Sequence, residues 1–281
     1  MGAVMKDFLK SMFPWSYKVW VRLITSWRVA RKLGIDDGCR MLLTGKQPAR
    51  WELGQILQAL KLAFQATGAK EAILLDVGAS NGWFSNAVSS ILPIKKCVSY
   101  EPLPDQWPPV PSNNSVFPCE YNKKAVGATS GSIEISLANH PGLSSILPMN
   151  DSYAYEFIDY KEIKIKEKKT VEMVSLDDEF ERKFEPDIPG ILKIDTQGYE
   201  MEVLKGATNI LDSGCVAIVL LEVMLENKYD GQANIFEVIE FMQKYKFSVF
   251  SIFRGYQEKS GQISEFDIIF CLEKYLKPCK S

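Results

Sequence analysis

Histidine is almost absent from this chain. His140 is the only one in 281 residues, and none of the six cysteines belongs to a C-x-x-C pair. The usual zinc-ligand spacings are therefore missing. No run of eighteen apolar residues occurs, so no transmembrane helix is expected. No clean apolar stretch follows a basic start, so no secretory signal is expected. Charge of one sign is lacking too. Lys plus Arg number 33 and Asp plus Glu 35, a net charge of −2, which gives no overall attraction to nucleic acid. There is no internal repeat or low-complexity tract. What remains, 46% hydrophobic and 24% charged residues, is the composition of a globular protein. The cysteines read as small core hydrophobes in a reducing cytoplasm.

The hydrophobic pattern changes near residue 70. Before it, Trp20, Leu23, Ile24 and Trp27, and again Leu53, Ile56, Leu57, Leu60 and Phe64, follow helical spacing. Residues 1–70 are thus expected to be a helical extension and 71–281 a separate domain. In the second part short apolar runs alternate with amphipathic segments: Ala72–Val77, Cys97–Tyr100, Gly190–Ile194, Val216–Leu221, Phe247–Phe253 and Phe266–Cys271. This alternation predicts a mainly parallel sheet covered by helices on both faces. Region 127–174 breaks the rhythm. Ile133, Ile135 and Leu137, and later Ile163 and Ile165, alternate with polar residues, which predicts antiparallel ribbons inserted into the α/β core.

The strongest local signal is AILLDVGASNGWFS, residues 72–85. It reads as a strand, a glycine turn and a helix beginning near Trp83. Gly78 and Gly82 permit close approach of a ligand, and amides at the helix start form an anion-friendly nest. Asp76 stands at the strand end. The next strand ends in Glu101, the usual kind of partner for ribose hydroxyls. A dinucleotide fingerprint would need a second glycine where Ser80 stands. The segment Gly78-Ala79-Ser80-Asn81-Gly82 also spells G-x-S-x-G, the pattern of a serine hydrolase nucleophile. That reading needs a late histidine, and His140 comes too early. An S-adenosylmethionine site accounts for Asp76, both glycines and Glu101 together. A non-catalytic nucleotide-binding module is the further alternative.

A second block, ILKIDTQGYEMEVLKGA at 191–207, together with the first, resembles the FkbM family of S-adenosylmethionine-dependent methyltransferases. The family pattern K-I-D-x-E-G-x-E-x-x-V-L-K-G-A is matched at Lys193, Ile194, Asp195, Gly198, Glu200, Val203, Leu204, Lys205, Gly206 and Ala207. It departs at Gln197, where the family usually has Glu, so any charged role of that position is absent or altered here. Smaller matches are S-L-D at Ser175–Asp177, E-P at Glu101 and Pro102, A-V-G at Ala125–Gly127, and Ser144–Ser145. The resemblance implies a class I methyltransferase fold, Rossmann-like with a seven-stranded sheet. It also implies O-methylation of a sugar, a polysaccharide precursor or a specialised metabolite. Asp76, Gly78, Ala79, Ser80 and Gly82 would then surround the methionine part of S-adenosylmethionine, with Asp195 beside it. Glu101 and Pro102 would lie at the ribose and Asn122, in Tyr121–Lys123, near the adenine.

An alcohol acceptor needs help losing its proton. Asp195, at the end of the fourth strand, is the first candidate for base or orienting group. Helix capping is its structural alternative. Glu222 ends the fifth strand and His140 titrates near neutrality; both are further candidates. Asp195 with Glu222 is compatible with a divalent metal, but two carboxylates alone define no metal site. Residues 1–32 carry seven Lys and Arg against Asp7, interleaved with aromatics. Such a segment suits an anionic membrane surface, a cap over the site or a homodimer contact.

Overall fold

The computed structural model describes residues 49–107, 119–150, 163–183, 188–256 and 262–276. The basic aromatic segment 1–32 lies outside them. Contact density divides the chain into two units, Met1–Ile56 and Leu57–Ser281, and the boundary falls within the first described helix.

That helix, α1, spans Ala49–Thr67 and buries Leu60, Ala63 and Phe64, three positions of one helical stripe. The main sheet then forms in an order that the apolar runs anticipate. Its strands are β1 (Ala72–Val77), β2 (Ile94–Tyr100), β3 (Cys119–Asn122), β7 (Gly190–Ile194), β8 (Val216–Met224), β9 (Phe247–Arg254) and β10 (Glu265–Leu272). Across the sheet they run β3-β2-β1-β7-β8-β10-β9. All neighbours are parallel except β10, which is antiparallel to both β8 and β9. Six strands running one way, with a reversed strand inserted between β8 and β9, is the class I methyltransferase arrangement. The order of strands reverses direction at β1 and β7, where ligands bind in open α/β sheets.

Strands β1 and β7 are buried at every residue, as apolar runs covered on both faces require. One face is covered by α2 (Trp83–Ser89), through Phe84 and Val88. The other holds the larger core, where Leu75, Val77, Val98, Leu192 and Ile194 meet Val203, Leu204, Ile210 and Leu211 of α4 (Glu200–Lys205) and α5 (Thr208–Asp212). Val238 and Met242 of α6 (Ile235–Lys244) join the same core. Asn234 and Glu237 form a reciprocal capping box at the start of α6, a motif that satisfies two otherwise orphaned amides.

The expected ribbon insertion is present as a second, three-stranded sheet in the order β4-β6-β5. Strands β5 (Gly131–Ala138) and β6 (Ile165–Val174) pair antiparallel, and β4 (Ala125–Val126) runs parallel to β6. Ile135, Leu137, Val171 and Met173 turn into the core, whereas Ile165 is exposed. The ribbon stays paired there but faces water. Helix α3 (Leu176–Lys183) leads back to β7.

Several family motifs turn out to be packing contacts. A β-carbon on Gly206 would overlap the carbonyl oxygen of Gly127, so A-V-G and K-G-A are two sides of one close approach. Asp177 of S-L-D accepts the amides of Asn209 at 3.0 Å and Ile210 at 3.1 Å. It caps α5 from a distant segment and has no part in the cleft.

Candidate active site

A cleft opens at the carboxyl edge of β1, β2 and β7, the edge at which open α/β sheets bind ligands. Gly78, Ser80, Glu101, Pro102 and Asp195 line it, as does Gln197. Its apolar wall comes from Trp107, Val126, Ile135, Pro141 and Ile146, much of it supplied by the inserted sheet and the loop after β5.

The glycine loop is built from below by a polar row. Tyr121, Ser99, Asp76 and Lys193 are register partners across β3, β2, β1 and β7, so all four project from one face. The Lys193 ammonium donates to the Gly78 carbonyl at 2.8 Å and lies 3.5 Å from Asp76 and 3.2 Å from Asp195. The Tyr121 hydroxyl donates to the Ser80 carbonyl. Two carbonyls of the turn are thus gripped from beneath. Burial would lower the Lys193 pKa, but the carboxylates of Asp195 and Asp76 outweigh it and hold the ammonium charged. Asp76 is completely buried and accepts from Ser85 Oγ at 2.5 Å. It supports the loop from below and is not part of the cleft lining.

The amides of the loop ahead of the helix are already engaged. Gly78 and Ala79 both donate to the Tyr100 carbonyl at 3.0 Å, Ser80 to Glu101 Oε2 at 3.0 Å, and Gly82 to Ala79 at 2.7 Å. The loop curls onto the end of β2 and satisfies itself. Ser80 and Gln197, both lining the cleft, are non-glycine residues with φ of 54° and 56°, a conformation that gathers at functional sites.

Glu101 is nearly buried yet lines the cleft. Burial raises its pKa, against the Leu103 and Ser80 amides and Lys193, which lower it. Each of its oxygens accepts one amide, from Ser80 and from Leu103 at 2.9 Å. One lone pair per oxygen is left for a hydroxyl. A ribose diol fits that pair, and Gly78 and Ser80 line the cleft beside it. Pro102 extends this wall. Asn122 is placed otherwise: its side chain donates to the Ser99 carbonyl at 3.4 Å, outside the cleft lining.

Asp195 is one-third exposed, with Oδ2 near Lys193 and Oδ1 accepting from Gln197 Nε2 at 3.0 Å. The same amide nitrogen donates to Glu222 Oε2 at 2.8 Å. Glu222 lies behind Asp195, reached through Gln197. Burial first, and then the charge of Asp195, push the Glu222 pKa well up. Glu200 Oε1 accepts the amides of Thr196 at 2.8 Å and Gly198 at 3.1 Å. It ties down the short turn that presents Asp195 and Gln197, and burial pushes its pKa up to about 7. His140 precedes the short helical turn Pro141–Leu143; Pro141 and Gly142 line the cleft and His140 does not. Among the described residues no group of three or more His, Cys, Asp or Glu is placed to hold a metal, and no helix is long and apolar enough to cross a membrane.

A cleft at the switch point of a class I sheet, with a ribose-ready acid and an opposed carboxylate, defines a cofactor-dependent group-transfer site. The Methyltransferase FkbM domain model matches residues 76–249, which is more than half of the chain, and the protein belongs to this family. S-adenosylmethionine is accordingly its cofactor. No curated protein sequence matches the chain. Similar solved structures include a putative S-adenosylmethionine-dependent methyltransferase from Listeria monocytogenes, at 10% identity over 76% of this chain and 99% of that one, TM-score 0.38. The magnesium protoporphyrin IX methyltransferase from Synechocystis PCC 6803 shares 11% identity over 89% and 96%, with a TM-score of 0.35.

Sequence reasoning assigned no role to Tyr121 beyond proximity to adenine, and none to the apolar wall. The polar alternation in CVSY and CEYN was the available signal for the clamp.

Proposed function

We propose that the protein moves the methyl group of S-adenosylmethionine to a hydroxyl oxygen of a small-molecule or carbohydrate acceptor, with Asp195 as the group that takes the hydroxyl proton. The observation behind this reading is the setting of Asp195. Its carboxylate reaches the cleft while Lys193 and Gln197 hold its two oxygens. Bound S-adenosylmethionine supplies an electrophilic methyl group on a sulfonium. Glu101 would hold its ribose, and Gly78 and Ser80 would flank the remainder. Trp107, Ile135 and Ile146 exclude water beside Asp195, and positioning of this kind contributes several kcal/mol. Asp195 Oδ1 or Oδ2 receives the proton and becomes neutral; until then the Lys193 ammonium balances its charge. Membership of a methyltransferase family favours this role for the loop over a Ser80 nucleophile.

The site of action we propose is the cytoplasm, with residues 1–32 available for an anionic membrane surface or a second copy of the chain. The support for both is composition alone. The test of the reaction is Asp195→Asn, assayed for S-adenosylhomocysteine release across a panel of hydroxylated acceptors. Turnover is expected to fall about 10²–10⁴-fold with S-adenosylhomocysteine affinity retained. Wild-type turnover at unchanged melting temperature would leave Asp195 as a helix-cap residue only.

A further inference from the structure

Gln197 sits where the chemistry of the cleft is most crowded with negative charge. Asp195 and Glu222 both approach the same point, and two carboxylates that close repel unless something positive lies between them. A divalent cation is one solution. In this protein the space is taken by the side-chain amide of Gln197, with Nε2 at 3.0 Å from Asp195 Oδ1 and 2.8 Å from Glu222 Oε2. An amide nitrogen has two hydrogens, and here each points to a different carboxylate. The two acids set the orientation of the amide, since the Tyr229 hydroxyl, 3.4 Å from the amide oxygen, has one hydrogen to share between it and the Leu143 carbonyl. A flipped amide would set its oxygen against both acids.

The backbone of Gln197 is fixed as firmly. Its carbonyl accepts from Ser145 Oγ at 2.7 Å. A β-carbon on the following Gly198 would press on the Tyr229 ring, so the turn has no room to shift. Tyr229 also donates to the Leu143 carbonyl at 3.3 Å. Gln197 is therefore tied through Ser145 and Tyr229 to the loop that forms the apolar wall.

From this geometry we infer that the Gln197 amide does, without net charge, what a divalent cation would do between Asp195 and Glu222, so the native cleft has no place for magnesium. Gln197 is a positioning residue. It acts through Asp195 and thus rests on the assignment of Asp195 proposed above. Replacing the amide by a carboxylate of the same shape, Gln197→Glu, removes both donors. It brings three acids together around the space that the amide filled. Oxygen ligands of that kind suit magnesium, whose affinity rises with the number of charged ligands.

The experiment is calorimetric titration of magnesium chloride into the wild-type protein, Gln197→Glu and Gln197→Glu/Asp195→Asn, after chelator treatment. Melting temperatures are recorded with and without the ion. S-adenosylhomocysteine titration of all three reports whether the cofactor side of the cleft is intact. We expect no saturable magnesium binding to wild type and no rise in its melting temperature. Gln197→Glu should bind magnesium saturably and melt higher with it, and the double variant should lose that gain. Saturable magnesium binding to wild type overturns the inference, as does a folded Gln197→Glu that ignores magnesium. Failure of every variant, wild type included, to bind S-adenosylhomocysteine would instead count against the methyltransferase site, whatever magnesium does.

Discussion

Gly78 and Asp195 touch backbone to backbone, so closely that a β-carbon at Gly78 would overlap the Asp195 carbonyl oxygen. The Asp195 amide in turn donates to the Val77 carbonyl at 3.1 Å. The glycine loop and the strand end bearing the proposed base are therefore one rigid piece, because β1 and β7 are register partners up to Val77 and Ile194. The glycine here serves the approach of two strands as much as the approach of a ligand.

Gly78→Ala should accordingly be among the most damaging small substitutions in the chain. The new methyl meets backbone, which cannot rotate away, and φ is +74°. Overpacking and left-handed strain together should cost about 3 kcal/mol or more. Gly54→Ala, on a helix with open space around it, should stabilise by about 0.5–1 kcal/mol. Thermal melts of the two variants beside wild type give the comparison. Equal melting temperatures for all three would show that the strands can part at Gly78.

Tyr121→Phe removes one hydroxyl and leaves the ring. The Ser80 carbonyl then loses its partner, and the loop is held by Lys193, Glu101 and the Tyr100 carbonyl. S-adenosylhomocysteine binding should weaken by about 0.5–1.5 kcal/mol, the usual worth of such a bond. Calorimetry reads this directly, and unchanged affinity would mean that the clamp has no influence on the cofactor.

Lys193→Met leaves Asp76 and Asp195 without the cation between them. Removing one partner from a buried ionic cluster typically costs about 3–5 kcal/mol, because the remaining charges stay desolvated. Adding Asp76→Asn should return part of that loss. If chemical denaturation finds the double variant no more stable than the single one, the cost came from packing and not from charge.

Glu200 predicts a pH dependence. Its carboxyl has an ordinary value of 4.5 in the unfolded chain and is pushed up by burial to about 7 in the folded one. Between those values the native state binds more protons than the unfolded state, so this group's contribution to stability falls as pH rises through the window and is level above it. Glu200→Gln cannot titrate. The stability difference, variant minus wild type, should therefore grow in the variant's favour from about pH 5 to about pH 8. Denaturation midpoints at the two pH values measure it, and a pH-independent difference would contradict a raised Glu200 pKa.

Much of this protein was legible in its sequence for a simple reason. Strands buried on both faces are apolar over most of their length, and so Ala72–Val77 and Gly190–Ile194 stand out despite Asp76 and Lys193. The change to alternating residues at Ile133–Leu137 marks a sheet with one wet face just as directly. Helix α2 begins at Trp83 because the glycine turn ends there. Glu101 could be placed at a strand end beside the glycine turn from the sequence alone, and it lines the cleft. The tertiary structure decided what contacts these residues make. It turned Asp76 into a buried support for Ser85 and Lys193, spent the loop amides on Tyr100 and Glu101, and put Gln197 between two acids. It also joined Gly127 to Gly206 and Asp177 to α5. None of these has a local signal, because each depends on which strands become neighbours, and strand order is set by the packing of the whole sheet. Periodicity reports what a segment must bury; only the assembled sheet determines which side chains, distant in the chain, will share one cleft.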